Sequence, residues 1–123
     1  YETIDKRMHY IKMRGQELFK LGVKAMAEAG IKALQYANLT LDDMKLVIPH
    51  QANKRMIDAV GDSLGLPEEK IFVNIEKYGN TSSVTMAVAL DEAIREGKAG
   101  PGDYVLIVAF GSGLTWAGIV IKL

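Results

Sequence analysis

Apolar positions recur along this chain with two different periods. Phe19, Val23, Met26 or Ala27, Gly30 and Leu34 return at helical spacing, which predicts one long helix from Gly15 to Ala37 with Asn38 as its stop. Met56, Ile57, Val60 and Leu64 predict a second helix from about Asn53, closed by Gly65 and followed by Pro67. A third helix is expected over Thr81–Glu96, with Thr81 or Ser82 as N-cap and Gly97 as stop. Between the helices lie short apolar runs bounded by turn residues: Tyr10–Met13, Leu46–Ile48, Ile71–Val73, Tyr104–Phe110 and Leu114–Leu123. Read as strands, they give the order β-α-β-α-β-α-β-β. Alternation of this kind implies a largely parallel sheet with helices on both faces. Pro49 ends the second strand because proline supplies no ladder donor. Tyr104–Phe110 is apolar throughout and is therefore expected at the sheet centre. Gly111-Ser112-Gly113 breaks it, and the last strand returns beside it as a hairpin. Thr40-Leu41-Asp42-Asp43 reads as a capped turn, and residues 1–9 as a polar lead-in.

The third helix adds a constraint. Val84, Met86, Val88 and Leu90 spread over opposite faces, among Ala87, Ala89, Ala93 and Ile94. Scattered alanine is one explanation. The other is that a helix apolar all round is covered all round. One sheet covers only one side, so the other side then calls for a second half of the protein or a second copy.

Composition narrows the function classes. With 123 residues, 49% of them hydrophobic, the chain suits one domain with a core. Fifteen basic and fifteen acidic residues cancel, which argues against bulk attraction to nucleic acid or an anionic membrane. No run is long enough to span a bilayer, and no charged-then-apolar leader opens the chain. There is no cysteine, hence no disulfide and no thiolate metal site, and a cytoplasmic setting is the default. The start at Tyr1 rather than Met suggests part of a longer protein.

Two polar motifs interrupt the apolar pattern: Pro49-His50-Gln51-Ala52-Asn53 and Tyr78-Gly79-Asn80-Thr81-Ser82-Ser83. His50 falls between a strand and a helix, at the carboxyl end of the sheet, where open α/β sheets bind ligands. A helix N-terminus nearby disfavours imidazolium, so His50 is expected to be neutral and to donate one N–H. Asn80 precedes a helix and offers a neutral NH₂ donor, with Gly79 allowing the tight turn. Two neutral donors aimed at one carbonyl oxygen stabilise an enolate or oxyanion without a metal. Gly111-Ser112-Gly113 offers further backbone N–H groups or room for a ligand. Each residue also has a purely structural explanation: a hydrogen-bonded histidine at a strand end, a turn with a helix cap, a hairpin connection. Lys54 and Arg55 are a solvated face or a contact for phosphate or an acidic partner. His9 is expected in solvent and the six methionines in the core.

Four strings taken together resemble the C-terminal half of 3-oxoacyl-[acyl-carrier-protein] synthase III: Tyr10–Lys20, Ile48–Asn53, Tyr78–Ser82 and Phe110–Trp116. They run in the family's order across essentially the whole chain. The resemblance implies one half of a thiolase-like fold with a mixed five-stranded sheet, residues 10–123 forming the C-terminal catalytic domain. It places the Thr81–Glu96 helix in a middle layer shared by two similar halves. It implies the first condensation of type II fatty-acid synthesis. A cysteine takes an acyl group from acyl-CoA, malonyl-carrier protein loses CO₂, and the carbanion attacks the acyl thioester. By resemblance, His50 and Asn80 are the catalytic pair holding the malonyl thioester oxygen. Ser112 supplies a backbone N–H to the acyl oxyanion, where the family often has glycine. Gly15, Phe19, Asn53 and Phe110 line the pantetheine and CoA tunnel, and Lys20, Lys54 and Arg55 dock the acidic acyl carrier protein. No cofactor or metal is implied beyond substrates carrying CoA or phosphopantetheine. The nucleophilic cysteine belongs to the family's N-terminal half, so this chain matches only the part that handles the malonyl group. A carrier-protein- or CoA-binding half-domain without catalysis, a self-associating half, and a related thiolase-fold acyltransferase are the alternatives.

Overall fold

Apolar spacing from Phe19 to Leu34 produces a 23-residue helix, and its bounds match the sequence expectation. The computed structural model describes residues 1–123, with elements α1 Glu2–Asp5, α2 Gly15–Ala37, β1 Met44–Pro49, α3 Lys54–Leu64, α4 Ile75–Tyr78, α5 Thr85–Arg95, β2 Tyr104–Gly111 and β3 Thr115–Lys122. Asn38 ends α2 in the left-handed conformation, φ 53°, a conformation asparagine tolerates better than most residues. Asn53 caps α3 by accepting the Met56 N–H at 2.9 Å, and Gly65 closes it at φ 66°. At Thr40 the Asp43 carboxylate accepts both the backbone N–H (2.7 Å) and the hydroxyl (2.9 Å). Those bonds hold Asp43 below the usual carboxylate range.

The sheet has three strands in the order β1-β2-β3, not five. β2 is central, as its apolar run predicts. It is parallel to β1, with Ile48 opposite Ile107, and antiparallel to β3, with Phe110 opposite Trp116. Alternating side chains divide the core. Val47, Leu106 and Val108 pack with Met26, Leu34, Met56 and Val60 beneath α2 and α3. Leu46, Ile48 and Val105 pack on the other face with Phe72, Ala89 and Ala93.

Two expected strands are absent for identifiable reasons. Ile71–Val73 makes a single parallel bridge, Ile71 to Val47, with the Phe72 N–H on the Val47 carbonyl at 3.0 Å. The next groups are claimed by a side chain instead: the Gln51 amide donates to the Phe72 carbonyl (3.3 Å) and accepts the Asn74 N–H (3.0 Å). Tyr10–Met13 lies outside regular structure with no strand alongside, and Ile11 is 97% exposed. The lead-in contains the short α1.

The third helix also starts late. Asn80 Oδ1 accepts the Ser82 N–H at 2.9 Å, a side-chain turn that competes with helix. Ser82 takes φ 62°, a 3₁₀ turn covers Ser82–Val84, and α5 begins at Thr85 with no side-chain cap. One face of α5 is buried through Thr85, Ala89 and Ala93. The other is open: Ile94 is 43% exposed, and Val84, just before the helix, is 53% exposed. No helix is long and apolar enough to cross a membrane.

Candidate active site

β1 ends at Pro49 and delivers His50 to the carboxyl edge of the sheet, where its backbone N–H donates to the Val108 carbonyl at 2.7 Å. That bond holds the histidine beside the end of β2. The turn after β2 carries Ser112, and the turn after α4 carries Asn80. Gly79 permits the second turn at φ 69°. A cavity of about 650 Å³ opens between these segments. His50, Asn80 and Ser112 line it together with Gly15, Phe19, Asn53 and Phe110. Seven of the ten residues singled out in the sequence thus share one space. The remaining three, Lys20, Lys54 and Arg55, line an adjoining groove of about 550 Å³. Gly15, Phe19 and Asn53 border both spaces, so the basic groove leads onto the cavity.

The donors are available. Burial lowers the pKa of His50 below the ordinary histidine value, so the ring is neutral at neutral pH. Its Nδ1 lies 2.6 Å from Thr85 Oγ1, and its ring meets Phe110 edge-on at 6.2 Å. Asn80 spends its amide oxygen on the Ser82 N–H, which orients the side chain and leaves Nδ2 without an acceptor in the chain. The Ser112 N–H is likewise unpaired, although the turn doubles as the β2–β3 hairpin connection. Gly22 makes room for the Phe110 ring. A Cβ there would lie 2.9–3.0 Å from its edge atoms.

Several residues that hold the site were not visible as functional in the sequence. Gln51, 1% exposed, donates to the Pro49 (2.8 Å) and Phe72 carbonyls and accepts the Asn74 N–H. Asn74 in turn donates to Glu92 at 2.7 Å, and Lys77 and Tyr78 donate to the same carboxylate at 2.6 and 3.3 Å. Glu92 is held below its usual carboxylate range by Lys77 first and Asn74 second. Through this relay the residue after His50 fixes the segment that leads to Asn80. Nothing in the sequence marks Gln51 beyond its place beside His50 in the polar motif. Among the basic residues, Lys54 is tied to Asp58, whereas Lys20 and Arg55 make no ion pair.

Comparisons with known proteins bear on the chain as a whole. Residues 34–123 match the family model described as 3-Oxoacyl-[acyl-carrier-protein (ACP)] synthase III C terminal. The chain is 51% identical over 122 residues to beta-ketoacyl-[acyl-carrier-protein] synthase III of Caldanaerobacter subterraneus subsp. tengcongensis, covering 99% of this chain and 37% of that protein. The crystal structure of 3-oxoacyl-[acyl-carrier-protein] synthase III from Aquifex aeolicus superposes with a TM-score of 0.89 at 48% identity, over 93% of this chain and 37% of that one. The priming beta-ketosynthase of the R1128 polyketide pathway superposes at 0.85 with 40% identity, over 91% and 34%. This chain therefore spans a little over a third of the length of the relatives it matches. By the family model and by these identities, it belongs to the 3-oxoacyl-[acyl-carrier-protein] synthase III family, in its C-terminal part.

Proposed function

We propose that this chain is the malonyl-handling half of a decarboxylating condensing enzyme that joins an acyl group from acyl-CoA to malonyl-carrier protein. The observation that carries the proposal is one cavity lined by three free neutral donors: the His50 ring, Asn80 Nδ2 and the Ser112 N–H. In this scheme the malonyl thioester oxygen sits between His50 and Asn80. The bond from the α-carbon to the carboxylate breaks, CO₂ leaves, and the electron pair moves into the enolate. Both donors hold the negative oxygen that develops. Neutral donors suit the step, since a cation beside the carboxylate would stabilise the starting state. The enolate carbon then attacks an acyl thioester on a cysteine, whose oxyanion the Ser112 N–H helps bind. The thiolate leaves, and 3-oxoacyl-carrier protein forms. This chain contains no cysteine, so that nucleophile comes from an N-terminal half.

Pantetheine would enter past Gly15, Phe19 and Asn53, which connect the basic groove to the cavity. Lys20 and Arg55 are the free cations for an acidic carrier protein, with Lys54 weakened for that role by Asp58. The R1128 relative favours a second reading, in which the same chemistry starts a polyketide chain on a different carrier protein.

The test uses this chain assembled with a cysteine-bearing N-terminal half, its own or that of the Caldanaerobacter relative. His50→Ala and Asn80→Ala are each expected to slow malonyl-carrier-protein decarboxylation about 10²–10³-fold, the usual loss for one such donor. Near-wild-type decarboxylation in both variants would overturn the proposal. Assaying fatty-acid against polyketide carrier proteins separates the two readings.

A further inference from the structure

His50 is useful as a donor only in one of its two neutral forms. If Nε2 carries the proton, the ring can donate from that atom while Nδ1 accepts. If Nδ1 carries it, Nε2 presents a lone pair, which repels a developing oxyanion. The surroundings of Nδ1 therefore decide whether the residue can act.

Nδ1 has one polar neighbour, Thr85 Oγ1 at 2.6 Å. That hydroxyl has two more. The Gln51 backbone N–H donates to it at 3.3 Å, and Met86 Sδ lies 3.1 Å away. The backbone N–H can only donate and the thioether can only accept, so one choice remains open: where the single hydroxyl proton goes. An imidazole nitrogen is a far better acceptor than a thioether sulfur. The 2.6 Å separation marks a short hydrogen bond and fits either direction, so the competing partners decide it. A proton on Nδ1 would require the hydroxyl to turn to the sulfur and accept from two N–H groups at once. Thr85 is 2% exposed at the first position of α5, so no water competes for its hydroxyl and its place is fixed by the helix.

We infer that Thr85 is a positioning residue that sets the tautomer of His50: its hydroxyl donates to Nδ1, and Nε2–H is left as the donor. The Gln51 N–H aims the hydroxyl by occupying a lone pair, so the residue after His50 and the first residue of α5 act together on the ring. The tautomer assignment stands on geometry alone. Its catalytic consequence rests on the condensing-enzyme reading.

Nitrogen NMR of histidine-labelled protein reads the two apart in the assembled enzyme, with His50 assigned by its loss in His50→Ala. The expected spectrum has Nδ1 as an unprotonated, pyridine-type nitrogen and Nε2 as a protonated, pyrrole-type one. Thr85→Val, which removes the hydroxyl at nearly constant volume, is expected to move population to the Nδ1–H form. It should lower kcat for malonyl decarboxylation about 10-fold or more, with little change in KM. Thr85→Ser keeps the hydroxyl and is expected to retain both the wild-type nitrogen pattern and most of the rate. A wild-type spectrum with Nδ1 protonated overturns the inference even if Thr85→Val does not fold. So does a folded Thr85→Val with unchanged tautomer and unchanged kcat. Failure of the condensing-enzyme reading would look different: the Nε2–H tautomer would be present, and His50→Ala would leave decarboxylation intact.

Discussion

His50 is held neutral by where it sits. Burial is the cause of its lowered pKa, and the consequence for pH dependence follows by linkage. The unfolded chain takes up a proton near the ordinary histidine value of about 6.5, whereas the folded chain resists until lower pH. Above that value both states are neutral and His50 contributes no slope. As pH falls below it, the unfolded state binds the proton first and stability declines until the folded pKa is passed. A proton titration of the ring signals is therefore expected to place His50 below about 6.5. A midpoint above that value would show that the site welcomes imidazolium, and the neutral-donor scheme would fail with it. The sequence made His50 and Asn80 visible because polar residues between apolar runs stand out. It hid Thr85 and Gln51, since a threonine near a helix start and a glutamine beside a histidine look ordinary. Their importance lies in contacts 34 and 35 residues away along the chain.

At the scale of elements, local pattern and long-range pairing separate cleanly. The α2 helix was readable because its face is written in its own residues. Ile71–Val73 and Tyr10–Met13 were misread because a short apolar run becomes a strand only if a neighbour has a free edge. For Ile71–Val73 a side chain took the hydrogen bonds, and for Tyr10–Met13 nothing lies alongside. One close approach of two elements is equally invisible in sequence. Gly118 on β3 packs directly against α2, and a Cβ there would lie 2.5 Å from the Ala29 carbonyl oxygen and 2.8 Å from its carbon. Backbone in the middle of a long helix cannot swing aside. Gly118→Ala is therefore expected to cost about 1–3 kcal/mol through overpacking, measured by denaturant unfolding of the assembled protein. Gly22→Ala is the useful contrast. It meets only the far edge of the Phe110 ring, which can turn away, so it should cost less stability while disturbing the cavity wall. Equal losses in the two variants would mean that α2 and β3 are not packed this closely.

For the whole molecule, the balance of surfaces matters more than any one contact. Val84 just before α5, Ile94 on α5, and Trp116 and Ile119 on β3 are all at least 43% exposed. Net charge is zero, so no long-range repulsion keeps copies of the chain apart. Large apolar side chains left open on a neutral protein drive association. The relatives are nearly three times longer than this chain, and the proposed reaction needs a cysteine that it does not contain. On the proposed reading, the cover is an N-terminal half packed against α5. Sedimentation velocity of the isolated chain is accordingly expected to show self-association that grows with concentration. Co-expression with a cysteine-bearing half should replace it with one defined species. Val84→Lys and Ile94→Lys should make the isolated chain more soluble and should impair that assembly, because a charge tolerated in water is expensive in a packed interface. A monodisperse monomer for the unmodified chain, or assembly unaffected by both lysines, would show that the open face of α5 is not where the second half docks.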